Sequence, residues 1–175
     1  LAIASRLAAM MSGHVSVSST HGKGSTFTLR FAHRLRQTAR GRGTRGPDLS
    51  GQRMLIVDDC APAAAVLARQ LSAWGAQVEC VHGLEEGEDA LWDSMAGGPE
   101  FAAMFLDLSL SGIDATALAV RIAEKIEALP LVLMSPQDPK AAKAAVSEGI
   151  GIAVLDKPFA LEGLEKALSR IAEAQ

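Results

Sequence analysis

The amino-acid sequence predicts an α/β protein built around a doubly wound parallel sheet, and two observations support this fold class. From Arg53 onward, a short β-branched or apolar run, a turn and an amphipathic helix follow one another five times. Strands that alternate with helices in this way form a parallel sheet with both faces covered. Apolar residues make up 49% of the chain and charged residues 21%, which is the composition of a folded globular protein. We therefore expect a five-stranded (βα)5 domain over residues 53–175.

Each predicted strand in this domain is a short run of mainly apolar residues, and each predicted helix follows its strand after a turn. Right-handed crossovers between consecutive strands fix the winding of such a domain. The predicted strands are Met54–Val57, Gln77–Val81, Ala102–Leu106, Leu131–Met134 and Ile152–Leu155, and the predicted helices lie near 61–74, 84–96, 114–128, 138–148 and 160–173.

The amino-terminal part of the chain carries a different pattern, a helix followed by a hairpin. Apolar side chains at helical spacing predict a helix over residues 1–12, which should end with Gly13 in a left-handed cap. Period-two alternation predicts two short strands, His14–Ser18 and Ser25–Phe31, joined by a turn. One helix and one hairpin bury little apolar surface by themselves. Because the helical pattern starts at Leu1 without a start signal, we expect the chain to be a piece of a longer polypeptide.

The charge distribution also divides the chain into two parts. Up to Arg53 there are 9 Lys and Arg residues against 1 acid, giving +8, and from Met54 onward there are 8 against 19, giving −11. Residues 32–52 lose all periodicity and collect Arg and Gly, which predicts a flexible linker. A basic run can bind nucleic acid or an acidic membrane surface, but this one has no interleaved aromatic residues and no helical face. We therefore expect a solvated linker, with neither nucleic acid nor a membrane as its partner.

The sequence limits the compartment in which this segment works. No apolar run reaches the roughly 18 residues that span a bilayer, and there is no signal-peptide pattern. Cys60 and Cys80 are too few for a disulfide framework and have no C-x-x-C spacing, so we expect no structural zinc and a reducing, cytoplasmic location. Both cysteines are interpreted as small buried hydrophobic residues.

Chemically reactive side chains follow four of the five predicted strands. In an open parallel sheet the ligand site forms at the carboxyl ends of the strands, and these ends carry Asp58-Asp59, Asp107, Ser135 and Lys157. Three carboxylates in one cleft repel one another unless a cation neutralises them, so a hard divalent ion such as Mg²⁺ is implied. Asp107 ends the central strand and is the best placed nucleophile for a phosphoryl group. Lys157 supplies a point charge for the phosphoryl oxygens, and Ser135 can hydrogen-bond the group after its transfer.

Four short motifs contain these residues: Leu55-Ile56-Val57-Asp58-Asp59, Phe105-Leu106-Asp107-Leu108, Leu133-Met134-Ser135 and Asp156-Lys157-Pro158-Phe159. Together they resemble the receiver domains of two-component response regulators. The resemblance implies a flavodoxin-like fold with strand order 2-1-3-4-5, Mg²⁺ or Mn²⁺ as cofactor, and a phosphohistidine on a kinase or phosphotransfer protein as the donor. It implies Asp107 as the phosphoacceptor and a cis peptide between Lys157 and Pro158. The metal ligands that it implies are Asp58, Asp59, Asp107 and the backbone carbonyl of Ser109.

Three features depart from the usual receiver pattern. After Asp107 the family usually has Met-Pro-Gly-x-Asp-Gly, whereas this chain has Leu110-Ser111-Gly112-Ile113-Asp114-Ala115, so we expect a more flexible loop. The switch aromatic expected three residues before Lys157 is Val154, so we do not expect the usual route of output. Pro136 replaces the usual small residue after the strand-end serine, which should restrict the movement of this loop and access to the acceptor.

The amino-terminal motifs resemble the end of a histidine-kinase ATP-binding domain: Leu1-Ala2-Ile3, the helix to Met11, Gly13-His14-Val15-Ser16-Val17 and Gly22-Lys23-Gly24-Ser25-Thr26-Phe27-Thr28-Leu29. The resemblance implies the carboxy-terminal part of a hybrid sensor histidine kinase, with a kinase remnant over 1–31, the basic linker and then the receiver. The implied parent is a homodimeric, ATP-dependent protein-histidine kinase. The resemblance places any membrane anchor of this parent in a part outside this segment. Because the phosphohistidine helix and most of the nucleotide pocket lie outside this segment, we do not expect it to bind ATP alone.

Two other functions remain as alternatives. A receiver that no longer turns over phosphate would act as a docking or autoinhibitory module, and Val154, Pro136 and the altered loop support this alternative. Haloacid-dehalogenase-like phosphatases also use an Asp nucleophile on a doubly wound sheet, but they place a second Asp two residues later, where this chain has Ser109. The retained carboxylates, serine and lysine favour a working receiver over both.

Overall fold

The computed structural model describes residues 1–32, 46–110, 115–126, 129–135 and 139–174. The chain divides into two compact units, Leu1–Gly43 and Thr44–Gln175.

The first unit consists of one helix and one antiparallel hairpin. Helix α1 spans Ala2–Met10, and strands β1 (His14–Thr20) and β2 (Gly24–Arg30) pair with Val17 opposite Phe27. The predicted helix and hairpin are therefore confirmed, with strands slightly longer at the turn than the alternation alone indicated. Most large apolar side chains of this unit remain exposed, in agreement with the small amount of surface that such a unit can bury.

The predicted left-handed cap at Gly13 is wrong by one residue. Ser12 has the positive φ of 55°, and the Gly13 N–H bonds the Ala8 carbonyl at 2.8 Å while the Ser12 N–H bonds the Ala9 carbonyl at 3.0 Å. This is a Schellman arrangement with serine in the left-handed position. Gly13 is needed for a different reason, because a Cβ there would lie 2.1 Å from the Arg30 carbonyl oxygen.

The second unit contains a five-stranded parallel sheet flanked by helices, as predicted. The order of its strands in the sheet is β4-β3-β5-β6-β7, which is the expected order 2-1-3-4-5. The strands are β3 (Arg53–Val57), β4 (Gln77–Val81), β5 (Ala103–Asp107), β6 (Leu131–Ser135) and β7 (Ala153–Asp156), and the helices are α2 (Ala61–Ala73), α3 (Leu84–Met95), α4 (Ala115–Lys125), α5 (Pro139–Ser147) and α6 (Leu161–Ala174).

Apolar side chains cover both faces of this sheet. Successive residues of a strand point to opposite faces, so Met54 and Ile56 pack with α2 and α6, whereas Leu55 and Val57 pack with α3, α4 and α5. Phe105 of the central strand is fully buried. The two apolar layers hold the strands in register, and the carboxyl ends of the strands therefore lie along one edge.

The second unit begins earlier than the predicted boundary at residue 53. Leu49 is 4% exposed and belongs to the core beside α2 and α6. Its N–H donates to the Trp74 carbonyl at 2.8 Å, and the Gln77 N–H donates to the Gln52 carbonyl at 2.9 Å. Residues 46–52 are thus packed on this unit rather than forming a solvated linker, while 33–45 lie outside the described residues.

Both cysteines are free thiols, but their burial differs from the prediction. Cys60 is exposed, because it precedes α2 at the open edge of the sheet, and Cys80 on β4 is only partly buried. Burial and the nearby carboxylates of Asp58 and Glu79 raise the pKa of the Cys80 thiol, which keeps it protonated. Among the described residues, no helix is both long and apolar enough to cross a membrane.

Candidate functional site

Two buried aspartates lie side by side at the carboxyl edge of the sheet. Asp58 directly follows β3, where its N–H donates to the Val81 carbonyl at 3.1 Å, and Asp107 is the last residue of β5. Because β3 and β5 are neighbours in the sheet, the two carboxylates meet. Asp58 is 1% and Asp107 is 2% exposed, whereas the adjacent Asp59 is exposed. The sequence placed these three residues at one edge, and the structure brings them together there.

Lys157 joins the two buried carboxylates. Its ammonium Nζ lies 2.6 Å from Asp58 Oδ2 and 2.7 Å from Asp107 Oδ2. Burial alone would lower the pKa of Lys157, but the hydrogen bonds and charges of Asp107 and Asp58 outweigh it, and the net pKa is raised. The lysine therefore stays charged at the centre of the site. It follows β7, and the peptide bond between Lys157 and Pro158 is cis, as expected.

Local turns hold both carboxylates from the other side. The Cys60 N–H donates to Asp58 Oδ1 at 2.9 Å. The backbone N–H and the hydroxyl of Ser109 donate to Asp107 Oδ1 at 3.0 and 2.7 Å. Sequence reasoning did not predict these bonds, although an aspartate that bonds the residue two positions later is a common turn. The backbone carbonyl of Ser109 stays a predicted metal ligand.

The composition of the site fits a hard divalent cation. One carboxylate oxygen from each of Asp58, Asp59 and Asp107 can be chosen so that all three lie within 4.8 Å of one another. Three carboxylates and one ammonium leave a formal charge of −2, which a divalent ion would balance. All three candidate ligand atoms are oxygens, as Mg²⁺ and Mn²⁺ prefer.

Ser135 lies at the same edge but in a different relation to the other residues. It ends β6, is 7% exposed, and its backbone carbonyl accepts the Lys157 N–H at 2.8 Å. This places the serine next to the lysine in the sheet, while its predicted bond to a phosphoryl group stays a prediction. Ser111 and Pro136, two of the departures from the receiver pattern, lie outside the described residues. Val154 is partly buried and packs on the sheet face that carries α3, α4 and α5.

A histidine that the sequence did not single out touches this site. His82 follows β4, and its Nδ1 lies 2.9 Å from the backbone carbonyl oxygen of Asp58. Its position just after a strand at the site edge is a usable signal, although an imidazole there is less typical of a phosphoryl site than carboxylates, hydroxyls and amines.

Comparison with known proteins finds relatives among two-component signalling proteins. No model of a known protein family matches the chain. The sensor protein TorS of Escherichia coli K12 is 27% identical over 176 residues, which cover 100% of this chain and 19% of TorS. The transcriptional regulatory protein TcrA of Mycobacterium tuberculosis is 30% identical over 137 residues, which cover 77% of this chain and 52% of TcrA. The chain therefore spans only about a fifth and about half of these relatives' lengths.

Solved structures of response regulators share the fold of the second unit. A protein assigned as a response regulator in Chloroflexus aurantiacus superposes with a TM-score of 0.59 at 28% identity, covering 69% of this chain and 98% of that one. The response regulator TrrA of Thermotoga maritima, solved with Mg²⁺-BeF, has a TM-score of 0.56 at 21% identity, with coverages of 69% and 98%. These likenesses confirm the predicted doubly wound, flavodoxin-like fold.

Proposed function

Starting from the receiver-domain fold of residues 53–175, we propose that this chain contains the phosphoacceptor module of a two-component phosphorelay. Asp107 is the acceptor, and a phosphohistidine of the chain's own kinase or of a phosphotransfer protein is the donor. The observation that carries this proposal is the contact of Lys157 with Asp107 and Asp58 at 2.7 and 2.6 Å. A partly buried cation held between two buried carboxylates matches the charge that a phosphoryl group brings to the site.

The proposed reaction exchanges one phosphorus bond for another. A carboxylate oxygen of Asp107 attacks the phosphorus, the bond between phosphorus and the donor's imidazole nitrogen breaks, and that nitrogen keeps the electron pair. Lys157 moves its ammonium from the carboxylates toward the phosphoryl oxygens, and the Ser135 hydroxyl donates to one of them. A bound Mg²⁺ or Mn²⁺, held by Asp58, Asp59, Asp107 and the Ser109 carbonyl, would neutralise negative charge on the phosphoryl oxygens.

A groove beside the site suits the protein that carries the phosphohistidine. Val66 on α2 is 62% exposed and Leu161 on α6 is 38% exposed, and both line this groove with Phe159. Phe159 lies two residues after Lys157, so a partner seated here approaches the edge that carries the acceptor. Exposed apolar side chains next to a polar reaction centre are typical of a docking surface for a protein. We assign the groove to an apolar helical face of the phosphohistidine donor.

The first unit is proposed to be the end of a histidine-kinase ATP-binding domain. Ile3 and Met10 are each 78% exposed and Phe27 is 59% exposed, so α1 and the hairpin present an apolar surface that an isolated unit would not keep. The match with the sensor protein TorS covers both units of this chain. The parent would be a homodimeric hybrid histidine kinase that uses ATP, with this segment on the cytoplasmic side.

The proposal is tested by phosphoryl transfer to the purified chain from a small-molecule phosphodonor, with and without Mg²⁺. We expect labelling that requires Mg²⁺ and is abolished by Asp107→Asn, while Asp93→Asn, a change on the surface of α3, leaves it intact. Labelling that survives Asp107→Asn would contradict the assignment of the acceptor.

The alternative is a docking module that no longer accepts phosphate. The absence of a switch aromatic at Val154 favours it, because the partly buried valine has no ring to rotate. Formation of a Mg²⁺-dependent beryllofluoride adduct separates the two functions. A working receiver forms the adduct, whereas a docking module binds its partner equally well with and without beryllofluoride.

A further inference from the structure

The backbone hydrogen bonds between β3 and β4 end at Asp58, and there the ring of His82 takes the place of a backbone N–H donor. β4 ends at Val81, whose carbonyl accepts the Asp58 N–H at 3.1 Å. The next acceptor along the chain, the carbonyl of Asp58 just after β3, lies 2.9 Å from His82 Nδ1. A carbonyl oxygen can only accept, so Nδ1 carries the proton in this bond. A side chain from the neighbouring strand end thus holds the backbone of the site.

The carbonyl that His82 holds belongs to the peptide that joins Asp58 to Asp59. A peptide unit is planar, so fixing its carbonyl also fixes the direction of the Asp59 N–H and the position of the Asp59 Cα. Asp58 is already held by Lys157 and by the Cys60 N–H. Asp59 is exposed, and its carboxylate is carried by the Cα whose position this peptide fixes.

His82 is itself anchored by the helix that follows it. Its backbone N–H donates to Glu86 Oε2 at 2.9 Å, and Glu86 lies in the first turn of α3. A carboxylate at this position is also favoured by the helix dipole. Gly87, the next residue, permits close packing of α3 on β3, because a Cβ there would lie 2.9 Å from Val57 Cγ2. The histidine ring is therefore supported by a helix packed on the sheet.

We infer that His82 is a positioning residue for the cation site: its ring holds the Asp58–Asp59 peptide so that both carboxylates face one divalent ion. This inference rests on the proposed function, since it takes Asp58 and Asp59 as the metal ligands. His82 is outside the ligand set, and the bond that its ring makes is to the backbone carbonyl of Asp58, so it acts through the backbone. Residues that orient metal ligands in this way commonly contribute about 10-fold to 100-fold in metal affinity.

The test is a direct Mg²⁺ titration of the unphosphorylated chain, followed by calorimetry and by the amide resonance of Asp59. The matched variants are His82→Leu and His82→Asn, because Leu and Asn have nearly the same shape but only Asn can donate near the position of Nδ1. We expect His82→Leu to weaken Mg²⁺ binding about tenfold and to shift the Asp59 amide resonance measured without metal. His82→Asn should retain most of the wild-type Mg²⁺ affinity and an Asp59 amide resonance close to that of the wild type. His21→Leu, in the exposed hairpin turn of the first unit, is the control for losing a histidine.

Each outcome bears on a different step of the inference. Equal Mg²⁺ affinity in the wild type, His82→Leu and His82→Asn would overturn the role of His82 and leave the metal site intact. Equal weakening in both variants would show that only the volume or ring of the histidine matters, which also overturns it. If the wild type shows no saturable Mg²⁺ binding, the metal site of the proposed function fails, and the positioning role fails with it. Thermal unfolding of each variant without metal checks that the fold is retained.

Discussion

Replacing Lys157 by Met removes the cation that bridges the two buried carboxylates of Asp58 and Asp107. The Lys157 side chain is 13% exposed, and those of Asp58 and Asp107 are 1% and 3% exposed. Met preserves most of the length and the apolar stem of lysine, so the change removes mainly the ammonium. Without it, two carboxylates remain buried and close together with no countercharge.

The expected loss of stability follows from this burial. Removing one partner of a buried ion pair costs about 3–5 kcal/mol, because the remaining charge is uncompensated. Mg²⁺ should recover part of this loss, since the variant leaves Asp58 Oδ2 and Asp107 Oδ2 free to face the ion. A ligand at 100 times its Kd stabilises the folded state by about 2.7 kcal/mol, and each tenfold gain in affinity adds about 1.4 kcal/mol. Lys157→Met should therefore be less stable without metal but should bind Mg²⁺ more tightly than the wild type.

Urea unfolding followed by tryptophan fluorescence measures this difference. The two tryptophans, Trp74 and Trp92, both lie in the second unit, so the signal reports the unfolding of that unit. Lys166→Met is the matched control, because the Lys166 pair with Glu162 is on the surface of α6 with side chains 75% and 78% exposed. This control should leave the unfolding midpoint unchanged within error.

Two results would refute the reasoning. If Lys157→Met were no more destabilising than Lys166→Met, the bridge between the carboxylates would not carry the stability assigned to it. If Mg²⁺ stabilised the wild type and Lys157→Met equally, the ammonium would not compete with the metal for the carboxylate oxygens.

Three further predictions concern titration, the acceptor and the partner. Because the pKa of Lys157 is raised, its stabilising effect is complete below the ordinary pKa of 10.5 and is lost only as pH rises through the higher folded value. The stability difference between wild type and Lys157→Met, measured by urea unfolding, should thus stay constant up to the ordinary lysine pKa of 10.5 and shrink above it. A decline below pH ~9 would contradict this prediction. Ser109→Ala frees Asp107 Oδ1 from a 2.7 Å hydroxyl bond, so labelling by a small donor should be roughly fivefold faster, corresponding to about 1 kcal/mol. Ser109→Thr keeps the hydroxyl and should resemble the wild type. A Ser109→Ala variant that is labelled more slowly than the wild type would show that the hydroxyl bond assists the reaction. Val66→Asp should slow transfer from a phosphorylated histidine protein at least about fivefold, as expected for an interface contact, and should leave labelling by the small donor unchanged. Equal slowing with both donors would reject the docking groove. Met95→Asp, which changes an exposed apolar residue on α3, is the control.

The positions of the site residues were predictable because the geometry of a parallel sheet is regular. Strands that end along one edge bring their following residues together, so Asp58, Asp107 and Lys157 could be grouped without knowing any distance. The strand ends were less predictable. Asp107 and Ser135 still pair in the ladder, with Met134 and Asp156 respectively, because their backbones continue the sheet while their side chains serve the site.

Other features depended on contacts that composition does not reveal. Leu49 lies in a segment rich in Arg and Gly, and only the apolar space beside Trp74 explains why it is buried. The His82 ring bonds a backbone carbonyl. Every residue has such a carbonyl, so no pattern of side chains in the sequence identifies this partner. Cys60 is exposed because it lies between Asp59, at the edge of the sheet, and α2, although its residue type is usually buried.

The most direct test of the central claim locates the phosphoryl group on the chain. The chain is phosphorylated by a small donor with Mg²⁺, treated with borohydride to reduce the acyl phosphate, digested and analysed by mass spectrometry. The proposal predicts one reduced residue, at Asp107, that is absent without Mg²⁺. Reduction at Asp58 or Asp59, or at no aspartate in a chain that is nonetheless labelled, would contradict the assignment of Asp107 as the phosphoacceptor.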